Sequence, residues 1–301
     1  MPEPTARPAL QLAHGALAWG ARTYVMAIIN VTPDSFSADG LAQPGADIAA
    51  LALAQARRAA AEGADMLDIG GESTRPGAAP IGPDEELRRV LPAIRAIAAE
   101  IDLPISIDTY HADVAAAALD AGALIVNDIW GLRTPEWGWN TPLAQLVAQR
   151  GVPIVLMHNR RAQATVGALG GHYREVRYTD LLGEIVAELR EAVAFAEEQG
   201  IARARIIADP GIGFGKTLAQ NLELVRRLAE LHALDLPLLV GASRKSFIGL
   251  PLNLPPAERD EGTAAVTALA IAAGADIVRV HNVQMNVRAA RIADAILRAP
   301  A

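Results

Sequence analysis

The sequence predicts a single-domain α/β fold, a (β/α)8 TIM barrel, on three observations. Eight short runs rich in Ile, Val and Leu alternate strictly with Ala/Leu-rich stretches of helical period. Each run is continuously apolar, as a strand covered on both faces has to be. The polar residues of these runs gather at their C-terminal ends, which in a barrel converge on one rim. A doubly wound open sheet shares the alternation, so periodicity by itself leaves it as the second architecture. Residues 1–22 are expected to form an N-terminal extension and residues 23–301 the barrel domain, a length that α/β barrels often use as one unit.

Taken in order, the strands are expected at Thr23–Asn30, Ala64–Gly70, Pro104–Asp108, Ala123–Asp128, Pro153–His158, Ala204–Asp209, Pro237–Gly241 and Ala275–His281. The helices are expected at Asp47–Glu62, Asp84–Glu100, His111–Ala121, Thr141–Arg150, Tyr178–Gln199, Asn221–His232, Glu258–Ala273 and Val283–Arg298, with apolar residues at three-to-four spacing. Gly63, Gly122, Gly151, Gly200 and Gly274 each stand between such a stretch and the next strand, the position glycine favours just past a helix end. Asn30, Asp68, Asp108, Asn127, His158, Asp209 and the pair Arg279/His281 mark the strand ends. Any one of them could be a helix cap or a turn residue, but seven of eight strands ending this way point to a built site. Two long loops interrupt the regularity, Thr32–Gly45 and Ser73–Pro83, and loops of ~12 residues in a compact barrel are usually lids or binding loops. Gly131–Pro142, with Trp130 before it, holds three of the four tryptophans and reads as surface packing or a subunit contact.

Bulk properties narrow the function. A formal net charge of −7 and a pI near 5.4 oppose a nucleic-acid partner, whose phosphates require a basic surface. The absence of cysteine excludes disulfides, thiolate nucleophiles and Cys-based zinc sites. No apolar run approaches the roughly 18 residues of a membrane span, and the first residues, MPEPTARPALQ, lack the apolar stretch of a secretory signal. A cytoplasmic location is the expectation.

Several motifs carry chemistry. DPGIGFGKT (Asp209–Thr217) looks like a nucleotide-binding loop, but only three residues separate its first glycine from the Gly-Lys pair, and a Walker A loop needs four. What it supplies is a carboxylate at a strand end, able to accept two parallel hydrogen bonds from a planar N–H/NH2 edge such as an aminopyrimidinone, followed by a loop with one aromatic. GASRKSF (Gly241–Phe247) sets Arg244 and Lys245 at the mouth of the seventh strand. Arg279 and His281 lie two apart on the eighth strand, so they face the same way and can clamp a phosphate where barrels often bind one. Asn30 offers an amide oxygen, a weak Mg2+ ligand where a substrate's phosphates share the ion.

These residues together resemble one family. INVTPDSFS (Ile29–Ser37), GADMLDIGGESTRPG (Gly63–Gly77), ISIDTY (Ile105–Tyr110), VNDIWG (Val126–Gly131), VLMH (Val155–His158), IADPGIGFGKT (Ile207–Thr217), GASRKSFIG (Gly241–Gly249) and GTAA…ADIVRVH (Gly262–His281) resemble, in order, the motifs of the dihydropteroate synthases. The resemblance implies condensation of p-aminobenzoate with a pterin pyrophosphate, with Mg2+ as cofactor and a homodimeric assembly. It implies that Asp108, Asn127, Asp209 and Lys245 hold the pterin, and that Asn30, Arg75, Arg279 and His281 meet the pyrophosphate, Asn30 beside the metal. It places p-aminobenzoate near Thr74, Pro76, Phe214, Arg244, Lys245 and Ser246, with the two long loops as lids. Within that set, Asn30, Arg75, Lys245, Arg279 and His281 would carry the reaction. Ala27 stands where the family commonly has Gly, and Asn159 where it often has Met, so Asn159 is left outside the site; Arg160–Tyr173 matches no motif. Methyltetrahydrofolate:corrinoid methyltransferases share the barrel but need neither the pyrophosphate clamp nor an STRPG loop. A non-catalytic pterin-binding paralogue would not need Asn30, Arg75, Lys245, Arg279 and His281 intact.

Overall fold

A computed structural model describes residues 7–32, 47–166 and 171–298 of the chain. Eight parallel strands form one sheet. They are β3 (Tyr24–Asn30), β4 (Met66–Gly70), β5 (Ile105–Asp108), β6 (Ile125–Asp128), β7 (Ile154–Met157), β10 (Ile206–Asp209), β11 (Leu239–Val240) and β12 (Ile277–Val280). Their spatial order is β10-β7-β6-β5-β4-β3-β12-β11, and a parallel bridge between Ala208 and Leu238 brings the two edges together. The closed barrel, not the open sheet, is therefore the architecture.

Each strand starts one or two residues later than its apolar run. The pairing needs only the central residues, and flanking ones turn away: Arg203–Arg205 is a 3-10 turn that leads into β10. Nine helices are described: α1 (Ile48–Ala61), α2 (Pro83–Ala98), α3 (Ala112–Asp120), α4 (Thr141–Arg150), α5 (Leu181–Glu198), α6 (Leu218–Arg226), α7 (Ser246–Leu252), α8 (Asp260–Ala272) and α9 (Val283–Leu297). Local chemistry sets their starts. Asp47 accepts hydrogen bonds from the Ala49 and Ala50 amides, and Thr217 forms a reciprocal capping box with Gln220.

The helix expected over Asn221–His232 is corrected to α6 followed by a 3-10 segment, Leu228–Leu234. The capping box moves the start upstream, and Leu228, Leu231 and Leu234, spaced by three and all buried, suit the 3-10 repeat. The expected helix Glu258–Ala273 likewise divides into a 3-10 turn, Pro256–Glu258, and α8, and the short α7 has no sequence-level counterpart.

The N-terminal extension is more than a tail. Leu10–Leu12 (β1) and Gly15–Leu17 (β2) pair as an antiparallel hairpin, and Leu10 and Leu17 join Tyr24, Met26, Met66, Ile125, Val155, Ile207, Leu239 and Ile277 in one buried cluster. The hairpin thus plugs the N-terminal mouth of the barrel, away from the rim where the strand ends converge. Around the barrel, the larger core lies between strands and helices, where Ile29, Ile69, Ile107, Leu156 and Ile185 are fully buried.

The tryptophans of the Trp130–Asn140 stretch pack locally. Trp139 stacks on Phe195 at 4.3 Å, and the Arg133 guanidinium lies over both Trp137 and Trp139. In the unassigned stretch after Asn159, Thr165–Val166 (β8) and Tyr173–Arg174 (β9) pair as a short ribbon. Asn159 itself is a structural cap: its Nδ2 donates to the Ile129 carbonyl and its Oδ1 accepts from the Arg161 amide.

Candidate active site at the C-terminal rim

The strand ends carry a buried network. Arg279 on β12 donates through Nε to Asp68 on β4 (2.5 Å) and through Nη2 to Asp108 on β5 (2.7 Å), while Asn127 on β6 donates to the same Asp68 oxygen (3.1 Å). One guanidinium thereby ties three strands, and Asn127 adds a fourth through Asp68; the two carboxylates hold the guanidinium above its ordinary pKa against the cost of burial. Asp108 is pushed up to about 7, first by burial and then by Asp68 and Glu72, with Arg279 pulling the other way. Asp68, fully buried, was marked at a strand end in the sequence but not placed among the site residues.

Beside this network stands Asp209 at the end of β10, buried, with its Oδ1 accepting from the Gly211 amide at 2.7 Å. Burial raises its pKa and the charges of Lys245 and Lys216 oppose that rise. Lys245 donates to the Ile212 carbonyl, and its Nζ sits 4.6 Å from the centre of the Phe214 ring. Burial lowers Lys245 to about 8, and among the charges it feels are Asp209, Arg279 and Asp108, so these groups share one site. Phe214 packs with Ile129, Trp130, Met157 and Tyr110 into a small apolar cluster on the rim.

His281 follows β12. Its backbone amide donates to Ser243 Oγ (3.1 Å), and its Nδ1 lies 2.9 Å from the same oxygen. With Ser243 Oγ accepting the amide and donating its own proton to Nδ1, the imidazole carries its proton on Nε2. Burial, then the charges of Arg244 and Arg279, lower His281 to about 3, and Arg75 adds to the effect. The histidine is therefore a neutral N–H donor at physiological pH, and the clamp expected from the Arg–X–His pattern has its positive charge on Arg279 and Arg75 alone. Arg244 is held by Asp260 through two parallel bonds of 2.7 and 2.9 Å, a pairing that orients it.

Arg75 is exposed, and Thr74, Pro76 and Ser246 are half-buried, the first three on the loop after β4 and Ser246 at the start of α7. The expected lid Thr32–Gly45 lies outside the described residues beyond Thr32. Asn30 ends β3, half-buried, in register with Gly70 of β4. Among the described residues no group of three His, Cys, Asp or Glu side chains can hold a metal ion.

Further residues at or behind the rim had no sequence signal of their own. The Glu72 carboxylate accepts from the Ile81 amide and from the Tyr110 hydroxyl, and so ties both ends of the Ser73–Pro83 loop. Glu86 on α2 is buried beneath it and pushed up to about 8, first by desolvation, with Thr109 hydrogen-bonding against the rise and Glu72 and Asp108 adding to it. A carboxyl raised in the folded state stabilises the protein fully below its unfolded value, and that stability is lost as pH climbs toward about 8. Glu86→Gln is expected to remove a loss on the order of a few kcal/mol between pH 5 and 8, seen as a flatter pH dependence of the urea midpoint. Equal slopes for the two proteins would show that Glu86 does not titrate there.

A family model for pterin binding enzymes matches residues 26–281. The chain is 46% identical to the dihydropteroate synthase of Bacillus subtilis over 282 residues, 94% of this chain and 91% of that one. It is 41% identical to the dihydropteroate synthase of Escherichia coli, covering 92% of each. Among solved structures, the Xanthomonas albilineans dihydropteroate synthase with 4-aminobenzoic acid superposes with a TM-score of 0.85 at 40% identity, over 98% of this chain and 100% of that one. The same enzyme in complex with 7,8-dihydropteroate gives a TM-score of 0.82 at 38% identity, over 97% and 100%.

Proposed function

The chain belongs to the pterin-binding enzyme family, and on that premise we propose that the rim condenses p-aminobenzoate with (7,8-dihydropterin-6-yl)methyl diphosphate, the dihydropteroate synthase reaction. The observation that carries it is the meeting, at one rim, of a buried Asp209, the Asp68–Arg279–Asp108–Asn127 network and Lys245 beside Phe214. Carboxylate acceptors suit the N–H-rich pterin edge, and the cations suit its diphosphate.

The bond changes are a substitution. The amine nitrogen of p-aminobenzoate supplies the electron pair of the new C–N bond, the C–O bond to diphosphate breaks, its pair leaves with pyrophosphate, and the nitrogen gives up one proton to solvent. The electron-rich dihydropterin shares the positive charge that develops at the methylene carbon. Asp209 takes the aminopyrimidinone edge, with Asn127, Asp108 and Lys245 around the rings. Arg279, Arg75 and the Nε2–H of His281 face the leaving group, where donors fixed in advance favour the charge that develops. Thr74, Pro76, Phe214, Arg244 and Ser246 border the aromatic amine, which they orient for attack.

Asn30 fits Mg2+ as a single neutral oxygen ligand, in keeping with an ion shared between protein, water and diphosphate and not with a cage of protein ligands. When bound, the ion neutralises charge on the departing pyrophosphate. A cytoplasmic location accompanies this reading; no described helix is long and apolar enough to cross a membrane.

The function is tested by pyrophosphate release with Mg2+, with and without p-aminobenzoate. Release that requires the aromatic amine supports the reading, and release indifferent to it defeats the reading. A complex of the Yersinia pestis enzyme with a sulfonamide drug makes inhibition by that class a second readout.

A homodimer is part of the proposal. Leu269 on α8 and Ile292 and Ile296 on the adjoining α9 are 59%, 61% and 73% exposed, an unusual set of large apolar side chains on neighbouring helices. Ile296→Glu is expected to shift the mass by light scattering from dimer to monomer; a variant and parent of equal mass would move the interface elsewhere.

A further inference from the structure

The lysine of the Asp209–Thr217 motif does not face the rim. Lys216 is 1% exposed, among the largest fully buried side chains of the protein. Its Nζ donates to the Gly211 carbonyl at 2.9 Å and the Phe214 carbonyl at 3.1 Å, and lies 3.0 Å from His158 Nδ1. Burial lowers this lysine to about 7; in its protonated form it has three N–H groups, and all three are thereby used.

The two carbonyls are the ends of one tight turn, closed by the Phe214 amide donating to Gly211 O at 3.0 Å. That turn supplies three contacts of the site: the Gly211 amide on Asp209, the Ile212 carbonyl that accepts from Lys245, and the Phe214 ring beneath Lys245. Side-chain packing holds it only through Ile212 and Phe214, both buried, because the other three of the five residues from Gly211 to Gly215 are glycines. All three have left-handed φ, and a Cβ on Gly211 would meet the His158 carbonyl at 1.8 Å. Its backbone is gripped by three side chains: Asn221 Oδ1 accepts from the Gly213 amide, the Tyr178 hydroxyl donates to the Gly215 carbonyl, and Lys216 Nζ holds the Gly211 and Phe214 carbonyls at its two ends.

The grip is anchored outside the site. With Nδ1 accepting from Lys216, neutral His158 carries its proton on Nε2, 3.1 Å from the Glu188 carboxylate of α5. Arg160 is hydrogen-bonded to that carboxylate and to Glu184. His158 Nε2 and Glu188 approach at ion-pair distance without hydrogen-bond geometry, so close polar contacts, not an unbroken hydrogen-bond chain, link α5 to the turn.

We propose that Lys216 is a positioning residue of the condensation, which fixes the Gly211–Phe214 turn and through it the placement of Asp209, Lys245 and Phe214 against the substrates. The proposal rests on the synthase reading, and the untreated parent, assayed for amine-dependent pyrophosphate release, tests that reading separately.

The chain contains no cysteine, which permits a clean rescue. Lys216→Cys is prepared, alkylated with 2-bromoethylamine in denaturant and refolded, so that the new thiol becomes a sulfur-for-methylene copy of lysine. The unalkylated variant is expected to lose roughly 10- to 100-fold in kcat/KM for p-aminobenzoate, with both kcat and KM affected, the scale of a lost charge-assisted hydrogen-bond set. Aminoethylation is expected to restore it to within about threefold. Parent-like kcat and KM in Lys216→Cys overturn the proposal, as does a refolded aminoethylated protein of parent melting temperature that stays slow.

Should Lys216→Cys fail to fold, His158→Leu and His158→Asn decide. Leu removes one of the three partners of the ammonium, and Asn returns an oxygen near the Nδ1 position. A several-fold fall in kcat/KM for Leu that Asn recovers supports the positioning role, and parent activity in His158→Leu defeats it.

Discussion

Replacing Asp209 is expected to abolish pterin binding while leaving the fold intact. The carboxylate is 5% exposed, and Gly211 occupies one oxygen. What remains faces the ligand edge as a charged acceptor. Asp209→Ala removes that acceptor and also orphans the Gly211 amide, so two effects mix. Asp209→Asn separates them, because its Oδ1 still accepts from Gly211 while its NH2 turns a donor toward the donors of the pterin. Charge-assisted hydrogen bonds of about 1.5–3 kcal/mol each, lost together, correspond to an affinity loss of roughly 100-fold or more.

Stability should move the other way. Burial raises the Asp209 pKa, so the folded state is penalised as pH rises through its titration, and a neutral Asn escapes that penalty. At pH 8, Asp209→Asn is expected to melt no lower than the parent. Calorimetry with a dihydropterin ligand checks the first outcome and thermal unfolding the second. Parent-like affinity in Asp209→Asn would remove this residue from the pterin site.

Arg279→Ala is expected to cost both stability and turnover, for different reasons. In the folded chain the guanidinium lies between Asp68, whose side chain is fully buried, and Asp108, at 9%. Removing one member of a buried ion network typically costs about 3–5 kcal/mol, because the charge left behind has neither water nor partner. Asp108 already titrates near 7 with Arg279 pulling it down, so without that pull it protonates at a higher pH still. The stability loss should consequently be larger at pH 8, where Asp108 is ionised in the unfolded chain but held back in the folded variant, than at pH 5.5, where folded Asp108 is protonated with or without Arg279.

The double variant Asp108→Asn/Arg279→Ala should recover much of the stability by removing one orphaned charge, yet none of the turnover, because the pyrophosphate still lacks its cation. Denaturation at the two pH values and kcat/KM for the pterin pyrophosphate read these outcomes independently. A pH-independent loss would mean that the two aspartates do not carry the penalty.

The sequence by itself narrowed the fold to a barrel or a doubly wound open sheet, since eight apolar runs buried on both faces and separated by helical periods have few other arrangements. The bridge between Ala208 and Leu238 decided for the barrel. It also placed the rim: Asn30, Asp68, Asp108, Asn127, Asp209 and Arg279 could be assigned to strand ends because a strand's direction fixes which end its last residue occupies. The motifs around them resembled one family closely enough to imply the substrates, and the comparisons agree.

What only the tertiary structure decided is who touches whom. Asp68 and Arg279 are 211 residues apart in the chain, and no local pattern reports a contact that a closed barrel creates. His281 read as half of a phosphate clamp, and burial, then Arg244 and Arg279, keep it neutral there. Lys216 carried no reading of its own in the sequence, and it points into the interior, where the glycine turn folds back over His158. The N-terminal hairpin, two strands of three residues, is too short to show a period, and it owes its place to the apolar mouth it covers. Periodicity encodes an element's own face. Protonation states and long-range partners depend on the dielectric and the neighbours that the closed fold supplies, and these exist only once all eight strands are together.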